Sequence, residues 1–209
     1  LLLVVGALVL GTLAGQALTG WHDYNDELRE MGLAALSFGA YLRSGHFLEA
    51  TFENWESEFL QMGLYVLLTV WLRQRGSSES KKLYEKEEVD AEPDPAKPGA
   101  PGPVRRGGWA LALYKNSLSL AFFALFFASM WLHARGGAEV MSIENAQQGK
   151  AAVSTWAYLG TARFWFEALQ NWQSEFVSIL SIVGLSIFLR QQGSPESKPV
   201  DAAYDETGK

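Results

Sequence analysis

Residues 116–132 read Asn-Ser-Leu-Ser-Leu-Ala-Phe-Phe-Ala-Leu-Phe-Phe-Ala-Ser-Met-Trp-Leu and contain no charged side chain. An amphipathic helix of a soluble protein shows a polar face at a period of 3.6 residues. The centre of this stretch, residues 121–128, has no such face. A helix needs about 20 residues, within a range of roughly 17–25, to cross the hydrocarbon core of a bilayer. The stretch therefore predicts a membrane-spanning helix, and a core helix of a soluble bundle is the alternative.

Three more stretches have a similar character. The first runs from Leu1 to Trp21 without a charge, and because Leu1 already lies in an apolar run we expect further residues before it. The other two reach spanning length only if each begins at a Trp, which places Glu58 inside one helix and Glu175 inside the other. The sequence thus predicts four spans, at about 1–21, 55–72, 114–132 and 172–189.

The chain contains an internal repeat at an offset of 117 residues. Residues 32–81 align with 149–198 without a gap, and 23 of the 50 aligned positions are identical. Each copy holds two predicted spans, so both copies enter the membrane from the same side and are parallel repeats. The predicted fold is an all-α membrane protein of two tandem hairpins, with repeat 1 at 1–76 and repeat 2 at 109–194.

The segments outside the spans differ in composition. Residues 22–50 and 133–167 contain short apolar stretches, 31–42 and 151–159, that cannot cross a bilayer. We expect interfacial helices on the outer surface there, with a re-entrant element as the alternative. Residues 77–108 carry five prolines and many charges, which predicts a flexible linker. The tail at 195–209 is similar.

Positively charged residues near span ends set the orientation. Cations accumulate on the cytoplasmic side of membrane proteins. They follow the second and fourth predicted spans and precede the third, whereas segment 22–50 holds only two, Arg29 and Arg43. This pattern predicts that the linker and the C-terminal tail are cytoplasmic and that the segments 22–50 and 133–167 are external.

Polar side chains in and beside the second and fourth spans form a candidate intramembrane site. An ionisable residue inside a span is costly and suggests a function by default. Facing carboxylates of Glu58 and Glu175 could share a proton or hold a cation. The alternative is structural, because each lies one turn inside an interfacial Trp and small polar residues commonly join transmembrane helices. The candidate residues are Asn54, Ser57, Glu58, Gln61, Asn171, Ser174, Glu175 and Ser178.

Each repeat ends in the pattern Leu-Arg-Gln-x-Gly-Ser-x-Glu-Ser-Lys, at 72–81 and 189–198. Gly76 and Gly193 suit the end of a helix, and the arginines suit the negative end of its dipole. Contact with anionic lipid headgroups is the alternative. The candidate headgroup contacts are Arg73, Arg75, Lys81, Arg190 and Lys198.

Several classes of function are disfavoured. The chain has no cysteine, so thiolate metal sites and Cys nucleophiles are excluded. No nucleotide-binding loop, nucleophile elbow or HExxH motif occurs, and the scattered cations do not favour nucleic-acid binding. His22, His46 and His133 have no partner at metal-ligand spacing, so we expect interface histidines. The sequence predicts no enzyme activity, cofactor or metal.

The paired Asn-Trp-x-Ser-Glu-Phe segments at 54–59 and 171–176, with the endings described above, resemble a family of uncharacterised bacterial inner-membrane proteins. Residues 15–21, Gly-Gln-Ala-Leu-Thr-Gly-Trp, also look like that family. The resemblance implies a bacterial cytoplasmic-membrane location and supplies no activity.

The functional expectation is therefore a non-catalytic subunit. The apolar spans and the lack of a cofactor motif favour a protein that contacts the lipid bilayer and packs against other membrane subunits or against itself. The alternative is a small oligomeric ion or proton channel or transporter that uses Glu58 and Glu175.

Overall fold

The computed structural model describes residues 1–208, and all regular structure among them is helical. This confirms the predicted all-helical chain. Four helices are long: α1 (Leu2–Glu30), α3 (Gly45–Leu68), α6 (Ser117–Gln147) and α8 (Ala162–Phe188). The short elements are α2 (Phe38–Tyr41), α4 (Gly102–Arg106), α5 (Gly108–Lys115), α7 (Thr155–Tyr158) and a 3₁₀ turn at Glu88–Asp90.

Two of the long helices, α1 and α6, are long and apolar enough to cross a membrane. Only 6% of the apolar stretch of α1 and 22% of that of α6 are buried within the protein. A core helix of a soluble bundle would be mostly buried, because burial of its apolar surface is what stabilises it. The apolar surface of α1 and α6 is therefore expected to contact something other than water.

Helices α3 and α8 begin earlier than the predicted spans. They start at Gly45 and Ala162 rather than near residues 55 and 172. Their first three turns carry Glu, Arg and Ala, which are good helix formers, so each helix begins about ten residues before Trp55 or Trp172. These added turns carry Glu49, Arg163 and Glu167, which belong to the site described below.

The chain forms two compact units. Unit 1 comprises Leu1–Glu56 and Phe127–Leu169, and unit 2 comprises Ser57–Phe126 and Gln170–Lys209. Two apolar clusters make the core of unit 1. One is built around Tyr24, Leu28 and Tyr41. The other contains Ala134, Ala138, Tyr158 and Phe164.

Within unit 1, two irregular segments make similar local contacts at positions 117 residues apart. The Asn25 side chain accepts from the backbone N–H of Leu36 at 2.6 Å, and Ser142 Oγ accepts from that of Val153 at 2.8 Å. These bonds satisfy backbone groups that no helix pairs. Ser37 and Ser154 then cap α2 and α7. Each segment holds only one helical turn, much shorter than the interfacial helices that the sequence predicts.

A glycine contact brings α3 and α6 together in unit 1. A Cβ added to Gly136 would lie 2.5 Å from both the backbone N of Glu49 and the carbonyl O of Gly45. A Cβ added to Gly45 would in turn lie 2.6 Å from the Gly136 carbonyl O. Small residues of this kind allow two helix backbones to approach closely. The approach places the acidic first turns of α3 beside the middle of α6.

In unit 2, the two repeat endings form similar turns. Gly76 and Gly193 have φ values of +83° and +82°, a conformation that favours glycine. Both lie beyond the last residue of their helix, in a following turn. Ser80 Oγ accepts from the N–H of Gln74 at 2.9 Å, and Ser197 Oγ accepts from that of Gln191 at 3.0 Å.

Candidate functional site

Unit 1 contains a group of ionisable side chains that is largely withdrawn from water, which we call the acid–histidine cluster. Helix α3 contributes two carboxylates, α6 a histidine, α7 a tyrosine and α8 an ion pair. His133 and Glu56 have 0% exposure, and Glu49 has 8%. Buried charges are rare unless they are paired. The members are Glu49, Glu56, His133, Tyr158, Arg163 and Glu167.

The imidazole of His133 lies between two carboxylates. Its Nδ1 is 3.2 Å from Glu56 Oε2, and its Nε2 is 3.4 Å from Glu167 Oε2. A neutral imidazole carries a proton on only one nitrogen, whereas the cation carries one on each. A carboxylate at each nitrogen therefore favours the imidazolium form. The ring of Phe164 covers the imidazole, with 4.8 Å between ring centroids.

The hydroxyl of Tyr158 lies between the other two carboxylates. It is 2.6 Å from Glu167 Oε2 and 3.1 Å from Glu49 Oε1. The hydroxyl has one proton to donate, and the shorter distance assigns it to Glu167. Glu49 must then supply its own proton to bond the tyrosine oxygen. Burial raises the pKa of Glu49 to about 7, helped by the negative charge of Glu167, which agrees with a protonated Glu49.

Glu167 is held in its charged form. Burial acts to raise its pKa, but hydrogen bonds from His133, Tyr158 and Arg163 outweigh burial and lower it. Arg163 Nε donates to Glu167 Oε1 at 2.9 Å, and the same guanidinium donates to Glu144 at 2.7 Å. Neighbouring carboxyls with pKa values moved in opposite directions are typical of acid–base and ligand-binding sites.

Sequence analysis did not identify this cluster. It predicts His133 to be an interface histidine, but the side chain is fully buried. His22 is exposed, and His46 stacks on Tyr24 at 4.4 Å between ring centroids. One signal was available: Glu49, Glu53 and Glu56 follow the spacing i, i+4, i+7 and share one face of α3. The residues of α6 and α8 that lie against this face are brought there by tertiary packing, which the spacing of the glutamates does not show.

The structure brings together only part of the predicted intramembrane site. Gln61 Nε2, in the turn that follows Glu58, donates to the backbone carbonyl of Glu175 at 2.9 Å. Ser57 is buried, while Glu58 is exposed. Three others are exposed and donate to carbonyls of their own helices, namely Asn54, Ser174 and Ser178. The Nδ2 of Asn171 is buried without a hydrogen-bond partner among the described residues.

The predicted headgroup contacts in unit 2 have protein partners. The buried ammonium of Lys198 donates to the carbonyls of Ala203, Tyr204 and Glu206 at 2.8–3.1 Å. Arg190 donates to carbonyls at the end of α8 and in the tail. The remaining contacts are Arg75 with Asp205, Lys81 with Asp90, and Arg73 with the carbonyl of Leu83. Lipid contact by these residues stays a prediction.

A family model described as "Domain of unknown function (DUF6766)" matches residues 1–209, so the chain belongs to this family. No curated protein and no solved structure matches the chain. The family description assigns no activity.

Removing the imidazole should destabilise the protein. In His133→Ala the buried carboxylate of Glu56 loses the cation beside it, and breaking a buried ion pair in this way costs about 3–5 kcal/mol. The free energy of unfolding, measured by denaturant titration in detergent micelles, should fall by that amount. His22→Ala, at an exposed histidine, should change it by no more than about 0.5 kcal/mol. Equal stability of the two variants would show that the cluster does not stabilise the fold.

Proposed function

We propose that this member of the DUF6766 family is a non-catalytic integral membrane protein that packs as a helical subunit, against other membrane proteins or against further copies of itself. The carrying observation is the apolar surface of α1 and α6, of which 6% and 22% of the apolar stretches are buried. Exposing a continuous apolar surface of this kind to water is energetically unfavourable, and such surfaces mark contacts with membranes or with other proteins. Contact with lipid or with partner helices would remove this surface from water.

Four spans in two tandem hairpins are the architecture that we propose. Helix α3 contains residues 55–68 and α8 contains residues 172–188 of the remaining predicted spans. Large apolar side chains on these helices are exposed, among them Leu180 at 71%. The similar contacts made by Asn25 and Ser142, and by Ser80 and Ser197, support two related hairpins.

The proposed location is a bacterial cytoplasmic membrane, with the linker and tail inside the cell. The chain has no cysteine, so single cysteines report topology without background labelling. A membrane-impermeant maleimide should label Ala35→Cys and Gln148→Cys in intact cells. It should label Lys97→Cys and Asp201→Cys only after the membrane is opened. The reverse pattern would invert the proposed orientation, and labelling of all four sites in intact cells would contradict a membrane topology.

The acid–histidine cluster supports a structural role because it joins four helices. Its members come from α3, α6, α7 and α8, and Arg163 adds a bond to Glu144 on α6. A satisfied network of buried polar groups rigidifies the packing around it. A subunit with a fixed arrangement of helices offers its apolar faces in a constant geometry.

The subunit proposal predicts a complex larger than one chain. After extraction from native membranes in mild detergent, native mass spectrometry should find the 23.1 kDa chain in an assembly of fixed composition, either with partner subunits or as a homo-oligomer. Crosslinking before extraction controls for dissociation by the detergent. A single uncrosslinked chain in both preparations would overturn the proposal.

Proton or cation transport is the second candidate, and one observation in unit 2 favours it. The amide of Gln61, one turn after Glu58, donates to the backbone carbonyl of Glu175 at 2.9 Å, which joins the parts of α3 and α8 that carry the two glutamates. Two like charges at a shared site favour the uptake of a proton or a cation.

Transport is tested by neutralising both carboxylates. If the pair carries protons or cations, liposomes that contain Glu58→Gln/Glu175→Gln should lose the flux shown by the unmodified protein. Glu88→Gln, at an exposed acid of the linker, is the matched control and should retain it. Equal flux in all three preparations would exclude this pair from transport.

A further inference from the structure

We propose that Glu49, His133 and Glu167 form a binding site for a divalent transition-metal ion of the Zn²⁺ type. This inference goes beyond the proposed subunit role and does not depend on it. It starts from a convergence of three side chains in unit 1. Each offers one ligand atom, and these atoms all lie within 4.8 Å of one another.

The donor set matches a particular class of metal. One imidazole and two carboxylates are ligands that Zn²⁺ accepts, commonly as three protein ligands with a fourth position left for water. Ca²⁺ and Mg²⁺ prefer oxygen ligands alone. The imidazole nitrogen therefore favours a first-row transition metal over these two ions. Zinc–ligand distances of about 2.0–2.2 Å require the two carboxylates to close slightly around the imidazole.

The imidazole is already oriented for such a role. Metal-bound histidines usually donate their second ring N–H to a carboxylate or carbonyl, which fixes the tautomer and the ring plane. Glu56 provides this partner, 3.2 Å from His133 Nδ1 and fully buried. The other nitrogen, Nε2, faces Glu167. The ring thus presents Nε2 to the two proposed carboxylate ligands.

Glu167 is oriented in the same way. Arg163 binds its Oε1 at 2.9 Å, which leaves Oε2 directed at His133 and Tyr158. Outer groups of this kind are needed to hold ligands in place, because loosely supported ligands lose affinity. Two of the three ligands therefore have a specific side chain behind them.

The hydroxyl of Tyr158 contacts two of the proposed ligands. It touches Glu49 and Glu167, so it competes with the ion for the same oxygens. Tyr158→Phe should therefore bind the metal at least as tightly as the unmodified chain.

The test is zinc binding by the purified full chain in detergent, after chelator treatment and removal of the chelator. Elemental analysis after desalting should give one Zn²⁺ per chain, and calorimetric titration should give the affinity. Glu49→Gln and Glu167→Gln keep the shape of the side chain and should each weaken binding by on the order of 100-fold. Glu56→Gln, behind the histidine, should weaken it by about 10–100-fold. Glu27→Gln and His22→Ala are the controls and should bind like the unmodified chain.

Circular dichroism of each variant establishes that it is folded. If His133→Ala does not fold, the near-isosteric Glu49→Gln and Glu167→Gln decide the question. Unchanged zinc affinity in both of them would overturn the proposal. A monomeric chain that binds one Zn²⁺ at this site would contradict the subunit role and leave the metal site standing.

Discussion

A carboxylate removed from water must find a cation or a proton, and in unit 1 three buried or half-buried glutamates meet this requirement around His133. The imidazole pairs with Glu56 and Glu167, and a proton on Glu49 completes the set through Tyr158. Taking a charge out of water costs several kcal/mol before compensation. The helices that carry these groups can pack as they do only because the groups find one another.

The two repeats contribute different residues to the acid–histidine cluster. Residues that hold the irregular segments in place correspond at the 117-residue offset, such as Asn25 with Ser142 and Tyr41 with Tyr158. The charged members do not, because Glu167 aligns with Ala50 and Glu49 aligns with Phe166. A similar local frame thus surrounds an aromatic contact of His46 in one copy. In the other it surrounds Tyr158 and Glu167, which meet Glu49 of the first copy.

Two kinds of surface coexist in the chain. The long helices expose apolar side chains, whereas the polar groups of unit 1 turn inward. In unit 2 the tail after α8 is held by Lys198 and Arg190, which donate to its backbone carbonyls. Exposed apolar faces and buried charges are compatible in one chain, because the buried charges are paired with one another in unit 1.

The sequence by itself determined the helical character, the apolar stretches of α1 and α6 and the internal repeat. These features are visible in the sequence because they depend on run length, on periodicity and on residue identity. Gly76 and Gly193 were predicted at helix ends, but they lie in turns eight and five residues beyond them. Only the tertiary structure decided which polar residues share a site. Glu58 was predicted as a site residue because it lies inside a predicted span. The structure instead buries Glu56, two residues earlier, on the inner face of α3. Residues 49, 133 and 167 meet because α3 and α6 approach closely at Gly45 and Gly136, and a contact between residues far apart in the chain leaves no periodic trace in the sequence.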